Sequence, residues 1–192
     1  MGQLITVDGF YRDPMTVRHL ALQRAKYQAR ERLPHGYAGT ESIQGYYSEN
    51  LVQKMANIIG QEIEVDERQF AFGVFAKKMA HDEPQKAIHV DRSAWTAIVY
   101  LSPNPESNSG TAIYRHLPTG DEHYNPNHQS HYKVDALHAS AWQMTVEVGN
   151  VFNRLVVFES GKMFHAGLRY FGDNDQNCRL SQIFFFNTRG KK

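Results

Sequence analysis

His89-Val90-Asp91, with His165 far downstream and Arg179-Leu180-Ser181 beyond it, brings metal-binding side chains together with one suited to carboxylates. Successive side chains on a strand project to opposite faces, so His89 and Asp91 project together while Val90 faces away. One imidazole and one carboxylate leave an octahedral ion underligated. A second imidazole from a distant strand, His165, completes a 2-His-1-carboxylate facial triad. The triad leaves the opposite face of the ion open, which suits non-haem Fe(II) chemistry in which a bidentate acid and dioxygen both bind.

With 10 histidines and 20 acidic residues in the chain, a bare His-x-Asp pair arises by chance, so the flanking elements decide its weight. Ala87-Ile88-His89-Val90 and Thr96 to Leu101 are short apolar runs separated by a polar hinge, and both read as buried strands. Arg154 to Phe158 forms a third, Glu159-Ser160-Gly161 a turn, and Lys162-Met163-Phe164-His165 leads into a fourth. The run Arg179 to Phe186 is the most β-prone of all, and Gln69 to Phe75 reads as a further strand.

Ahead of these, Asp13-Pro14 opens a helix with Met15, Val17, Leu20, Ala21 and Ala25 on its apolar stripe and Arg18, Arg24, Lys26 and Arg30 outside. After the turn-rich Pro34 to Gly39, a second helix is predicted from Ser48 through Ile59, stopped by Gly60.

In this order of parts the sequence resembles the Fe(II)/2-oxoglutarate-dependent dioxygenases, especially their prolyl-hydroxylase-like branch. The resemblance runs through Val7-Asp8-Gly9-Phe10-Tyr11, His89-x-Asp91, Thr96 to Leu101, Asn108-Ser109-Gly110, Val157-Phe158 to His165, and Arg179-x-Ser181. It implies that His89, Asp91 and His165 bind iron and that Arg179 holds the distal carboxylate of 2-oxoglutarate, assisted by Tyr100 and Ser181. A guanidinium is always charged and offers a planar fork that matches a carboxylate, so the chemistry agrees.

The family commonly places this arginine nearer the distal histidine than Arg179 lies. Gly172 to Asn177, read as an extended hairpin turn, absorbs the extra residues, and Arg169 is the alternative, with a possible substrate contact. The implied reaction decarboxylates 2-oxoglutarate to succinate with O2 and hydroxylates an unactivated C–H bond. Asp91 argues against a halogenase, whose chloride needs the carboxylate's place. The implied fold is mainly β with flanking helices, a double-stranded β-helix (jelly roll, cupin-like).

At 192 residues and 41% hydrophobic, the chain suits one domain, with an N-terminal helical support over about 1–65 and the β-helix core over about 66–192. A net charge of +1 gives no basic footprint, so no nucleic-acid partner is expected. One cysteine excludes an internal disulfide, and with no secretory leader or membrane-length run a reducing cytoplasm is expected.

His116, His123, His128, His131 and His138 stud a polar stretch over about 115–138 whose spacings match no common zinc pattern. It reads as an insertion capping the active-site mouth and helping select substrate, with a short helix over Ala139 to Val148 anchoring its end. Tyr37, Tyr46, Tyr47, Trp95 and Arg169 are candidates for the entrance. The expected substrate is a small molecule such as an amino acid or natural-product intermediate. The alternatives are a peptide residue, a cupin-like metalloenzyme that dispenses with 2-oxoglutarate, and a non-catalytic barrel.

Overall fold

The computed structural model describes residues 2–29, 39–82 and 87–189. Arg30, Tyr37 and most of the turn-rich segment after Pro34 lie outside the described residues.

Near the N-terminus come strand β1 (Leu4–Val7), helix α1 (Pro14–His19) and strands β2 (Tyr27–Ala29) and β3 (Thr40–Ser42). Helix α2 (Glu49–Ile59), β4 (Ile63–Glu64), β5 (Phe72–Lys78), β6 (Trp95–Tyr100) and β7 (Thr111–His116) follow. The chain continues through helix α3 (Gln129–Asp135), β8 (Trp142–Val148), β9 (Leu155–Phe158), β10 (His165–Gly167) and β11 (Arg179–Thr188). It is mainly β. The large antiparallel sheet runs β1-β9-β6-β11-β5-β3-β2, with β4 on the far end of β11, and the small one runs β10-β7-β8. The N-terminal part is therefore more than a helical support, since β1, β2 and β3 belong to the large sheet.

β11 is the central strand because its sequence can be buried on both faces and pair on both edges. It matches Arg179 to Lys78 of β5 and Ser181 to Tyr100 of β6. Leu180, Phe184 and Phe186 face one way, into a core closed by Phe10, Met55 and Ile59 from the helical side. Arg179, Ser181 and Ile183 face the other way. On that inner side Tyr100, Val156 and Phe158 of the large sheet meet Ile113 and Val148 of the small one in a second buried cluster.

The helices are capped as the sequence dictates. The Ser48 hydroxyl accepts from the Leu51 amide at 3.3 Å, and Gly60 closes α2 at φ 70°, a conformation that favours glycine. The Asp13 carboxylate accepts from the Thr16 amide at 3.1 Å ahead of Pro14.

Four expectations are corrected. Arg18 is buried rather than outside. Its guanidinium donates to Leu101 O, just past β6, at 2.7 Å and to Gln176 O, in the crossover before β11, at 2.6 Å, supplying these carbonyls with donors, while Met15 is exposed. α1 widens into a π turn over Leu20–Arg24, which shifts the phase of its stripe. Residues Trp142–Val148 form β8 after a single 3-10 turn, since Thr145, Val146 and Val148 are β-branched and the strand pairs with β7, with Thr145 at a register shift. Gly172 to Asn177 is not a hairpin turn: β10 lies in the small sheet and β11 in the large one, so the segment crosses between sheets. The Asn177 side chain fastens this crossover by accepting from the Asp173 and Asn174 amides.

Candidate metal centre

Ala87 to Val90 forms only a bridge rather than a full strand, but the bridge falls where it matters. The His89 amide donates to His165 O at 3.1 Å and the His165 amide to His89 O at 2.9 Å, so the two histidines stand directly opposite each other. Their rings are 4.5 Å apart. His165 is itself fixed in register against Ile113 of β7, and the Asp91 amide donates to Ser160 O at 2.9 Å.

Each imidazole is oriented by a backbone carbonyl. His89 Nδ1 lies 2.9 Å from Ala87 O, and His165 Nδ1 lies 2.9 Å from Met163 O. A carbonyl only accepts, so both Nδ1 atoms carry the proton and both Nε2 lone pairs are left for a ligand. His89 Nε2 is 3.4 Å from one Asp91 oxygen, and His165 Nε2 is 3.4 Å from the other. All three donor atoms fall within 4.8 Å of one another. Neighbouring ligands on an ion with bonds of roughly 2.1 Å stand about 3 Å apart, so a small contraction would close the triad on a metal.

The electrostatics follow from this packing. Burial pushes the Asp91 carboxyl up, but His165 and His89 outweigh it and hold the group well below the usual carboxylate range. Burial likewise disfavours a charged His89, yet the Asp91 carboxylate prevails and raises its pKa. Lys78, close enough to act on His89, works in the opposite sense.

Thr96 is the residue that sequence reasoning missed. It was legible only as the start of a strand, whereas its hydroxyl sits 2.5 Å from Asp91 Oδ2 and 2.8 Å from Ser160 Oγ. The period-2 pattern was the available signal: Thr96, Ile98 and Tyr100 share the inner face of β6.

Farther along the same face lie Tyr100, Ser181 and Arg179. Thr96 and Tyr100 are separated by roughly 13 Å of extended chain. Arg179 is buried between the rings of Tyr100 and Tyr170, 5.4 and 5.9 Å from their centroids. It donates from Nε to Ser109 O at 2.7 Å and from Nη2 to Gly110 O at 3.1 Å. Gly110 must be glycine, because a Cβ there would meet Val148 O at 1.9 Å.

Among the described residues no carboxylate pairs with Arg179, and the buried Ser181 Oγ has no hydrogen-bond partner. Both side chains could therefore donate to a further acceptor. Tyr100 OH is 2.8 Å from Thr111 Oγ1, and burial pushes its phenol up, so it remains a donor at neutral pH. Lys78, opposite Arg179 in register, donates to Tyr170 OH at 3.1 Å.

A protein-family model described as a family of unknown function (DUF6445) matches residues 2–186. The chain belongs to that family. No curated protein matches this DUF6445 member.

Other expected site residues lie elsewhere in the DUF6445 chain. Trp95 faces the opposite side of β6 from Thr96 and stacks on Phe186 in the main core, so it is no entrance residue. Arg169 is exposed and pairs with Glu106 at 3.3 Å, which removes it as the alternative to Arg179. Tyr46 and Tyr47 pack on Phe75 and Phe72, on the helix-covered face of the large sheet, where they line a separate cleft of about 580 Å³.

The histidine-rich stretch borders the candidate centre: its Tyr124, Gln129, Tyr132, Lys133 and Ala136 line with His89 and Asp91 a cavity of about 380 Å³. Its Tyr132 packs with Ile88, Phe164 and Ala166, which alternate with His89 and His165, and with Trp142 of β8. Among the described residues His89, Asp91 and His165 are the one group with metal-site spacing.

Proposed function

We propose that this chain is a non-haem Fe(II)/2-oxoglutarate-dependent oxygenase built on a double-stranded β-helix, hydroxylating an unactivated C–H bond of a small molecule. One observation carries the reading: both imidazoles turn Nε2 toward Asp91 on the inner face that also bears Tyr100, Ser181 and Arg179. Two antiparallel sheets packed over a shared inner cluster agree with that architecture.

The residues fit the groups the reading requires. Two neutral imidazole nitrogens and a carboxylate suit Fe(II) and leave coordination positions open. A buried guanidinium without a carboxylate, beside a partnerless hydroxyl and a phenol, suits the distal carboxylate of 2-oxoglutarate. When bound, Fe(II) with 2-oxoglutarate and O2 supplies an oxidant able to break a C–H bond, with succinate and carbon dioxide as coproducts.

The protein's own part is orientation and exclusion. The Ala87 and Met163 carbonyls fix the imidazole tautomers, and Thr96 fixes the Asp91 carboxylate. Tyr100, Ser181 and Arg179 would anchor the cosubstrate, while Val156, Phe158 and Ile113 keep water from the inner space.

A second reading, a cupin-like metalloenzyme that works without 2-oxoglutarate, draws on the bonds from Arg179 to Ser109 and Gly110, which a purely structural arginine would also make. The deciding assay follows succinate from 2-oxoglutarate under air, with Fe(II) or a chelator, across amino acids and small natural products. Iron-dependent succinate supports the oxygenase. Absence of succinate with every substrate, together with absence of 2-oxoglutarate binding, overturns it.

A further inference from the structure

The histidine-rich stretch places a buried polar hub behind the metal centre. His116 is fully buried, with its ring 4.6 Å from that of Trp142 and edge-on to Tyr132 at 5.1 Å. Its Nδ1 lies 2.8 Å from Thr119 Oγ1 and its Nε2 3.0 Å from Asp135 Oδ2. The carboxylate accepts, so Nε2 donates to Asp135 and Nδ1 accepts the threonine proton.

Asp135 is also held through its backbone, where its carbonyl accepts from Trp142 Nε1 at 2.8 Å and from the His138 amide at 2.8 Å. The next residue, Ala136, offers its carbonyl to the Ile88 amide at 2.9 Å. The residue after Ile88 is the metal-site histidine, whose own amide bonds to His165 O on the opposite edge. The short segment carrying His89 thus has one edge fixed by the second histidine and the other by Ala136.

We propose that His116, acting through Asp135, is a positioning residue for His89. The inference rests on the metal-centre reading given above. The physical argument is one of constraint. Ala87 to Val90 makes only a bridge with β10, so outside that bridge the bond from the Ile88 amide to the Ala136 carbonyl sets the segment's depth among the described residues. His116 locks the α3 terminus that presents this carbonyl. It touches neither ligand nor metal site, and the proposed effect reaches His89 through the Asp135–Ala136 backbone rather than through the Tyr132 and Trp142 rings that pack with Ile88 and Phe164.

The test measures Mn(II) affinity of the full-length protein by titration, alongside thermal melting and hydrogen exchange at the Ile88 amide. His116→Phe keeps the ring between Tyr132 and Trp142 but removes the donor. His116→Gln restores a donor near the Nε2 position, and Thr119→Val is a milder change that removes only the hydroxyl facing Nδ1. The expected result is a loss of Mn(II) affinity of about tenfold in His116→Phe, a smaller loss in Thr119→Val, and near wild-type binding in His116→Gln. Faster Ile88 exchange should accompany each loss.

Unchanged affinity in a folded His116→Phe overturns the inference alone. So does an equal loss in His116→Gln, which would assign the effect to ring packing. Should His116→Phe fail to fold, Thr119→Val with unchanged affinity and exchange gives the same negative answer. A wild type that takes up no Mn(II) overturns the metal reading itself.

Discussion

The Thr96 hydroxyl stands 2.5 Å from Asp91 Oδ2, on the oxygen that faces His165. Its one proton goes to the carboxylate, so the Ser160 hydroxyl, 2.8 Å away, must be the donor in the second contact. The carboxylate of the triad is therefore oriented by a two-hydroxyl chain. Thr96→Val keeps the shape and removes the bond, and should weaken Mn(II) binding by about tenfold, while Thr96→Ser should stay near wild type. Isothermal titration of the three proteins checks this, and equal affinities would show that Asp91 needs no such support.

Metal affinity should climb with pH. His89 is raised above its ordinary value by Asp91 in the metal-free protein, so a metal must displace a proton from it until the pH passes that raised value. The same shift makes His89 stabilise the metal-free fold at low pH, an effect fully present below the unfolded value of about 6.5 and lost as pH rises through the folded one. Asp91 acts oppositely: its depressed value gives stability above the ordinary carboxylate range that is lost as pH falls through the folded value. Mn(II) titrations between pH of about 6 and about 8 should show rising affinity, with proton release at the lower end. A flat profile would mean that His89 is not a ligand.

Ser181 gives a sharper test of the anion site than a charged residue does. Its buried hydroxyl has no partner, so Ser181→Ala should leave the melting temperature of the ligand-free protein unchanged or slightly higher. A lost hydrogen bond to a carboxylate should at the same time weaken 2-oxoglutarate binding by about tenfold. Binding measured with Mn(II) present, together with thermal melts, separates the two effects. A destabilised variant with unchanged binding would assign Ser181 to structure.

Cys178 should be chemically quiet. It is buried, and burial pushes its thiol up to about 11, with Asp175 adding to the effect. Aromatic disulfide reagents at neutral pH should react with it only as fast as the fold opens, and denaturant should release it. Rapid labelling of the native protein would contradict the packing described around β11.

The parts of the site that were legible in the sequence are those whose chemistry is carried by residue type and spacing. His89 and Asp91 share a face because strands alternate, and β11 announced itself through Leu180, Ile183 and its three phenylalanines. Ser48 and Gly60 marked the ends of α2 because capping is local. What escaped depends on pairing between distant segments. Thr96 matters only once the 91–96 connection folds back, and Arg18 is buried because the carbonyls of Leu101 and Gln176, distant in sequence, meet its guanidinium. The crossover after β10 resembled a hairpin turn because turn residues look alike whether they join neighbours in one sheet or strands of two. Trp95 looked like an entrance residue because it follows His89 and Asp91 closely in sequence, although the alternation that puts Tyr100 on the inner face of β6 turns Trp95 away from it.

The most direct measurement is an anaerobic titration of the metal-free protein with Fe(II) and then 2-oxoglutarate, following the visible metal-to-ligand charge-transfer band in wild type and in Arg179→Ala. A cosubstrate that binds the metal through one end and Arg179 through the other predicts a band in wild type that weakens sharply in the variant. Confirmed Fe(II) binding without a band in wild type, or a band of equal strength and affinity in Arg179→Ala, would contradict it.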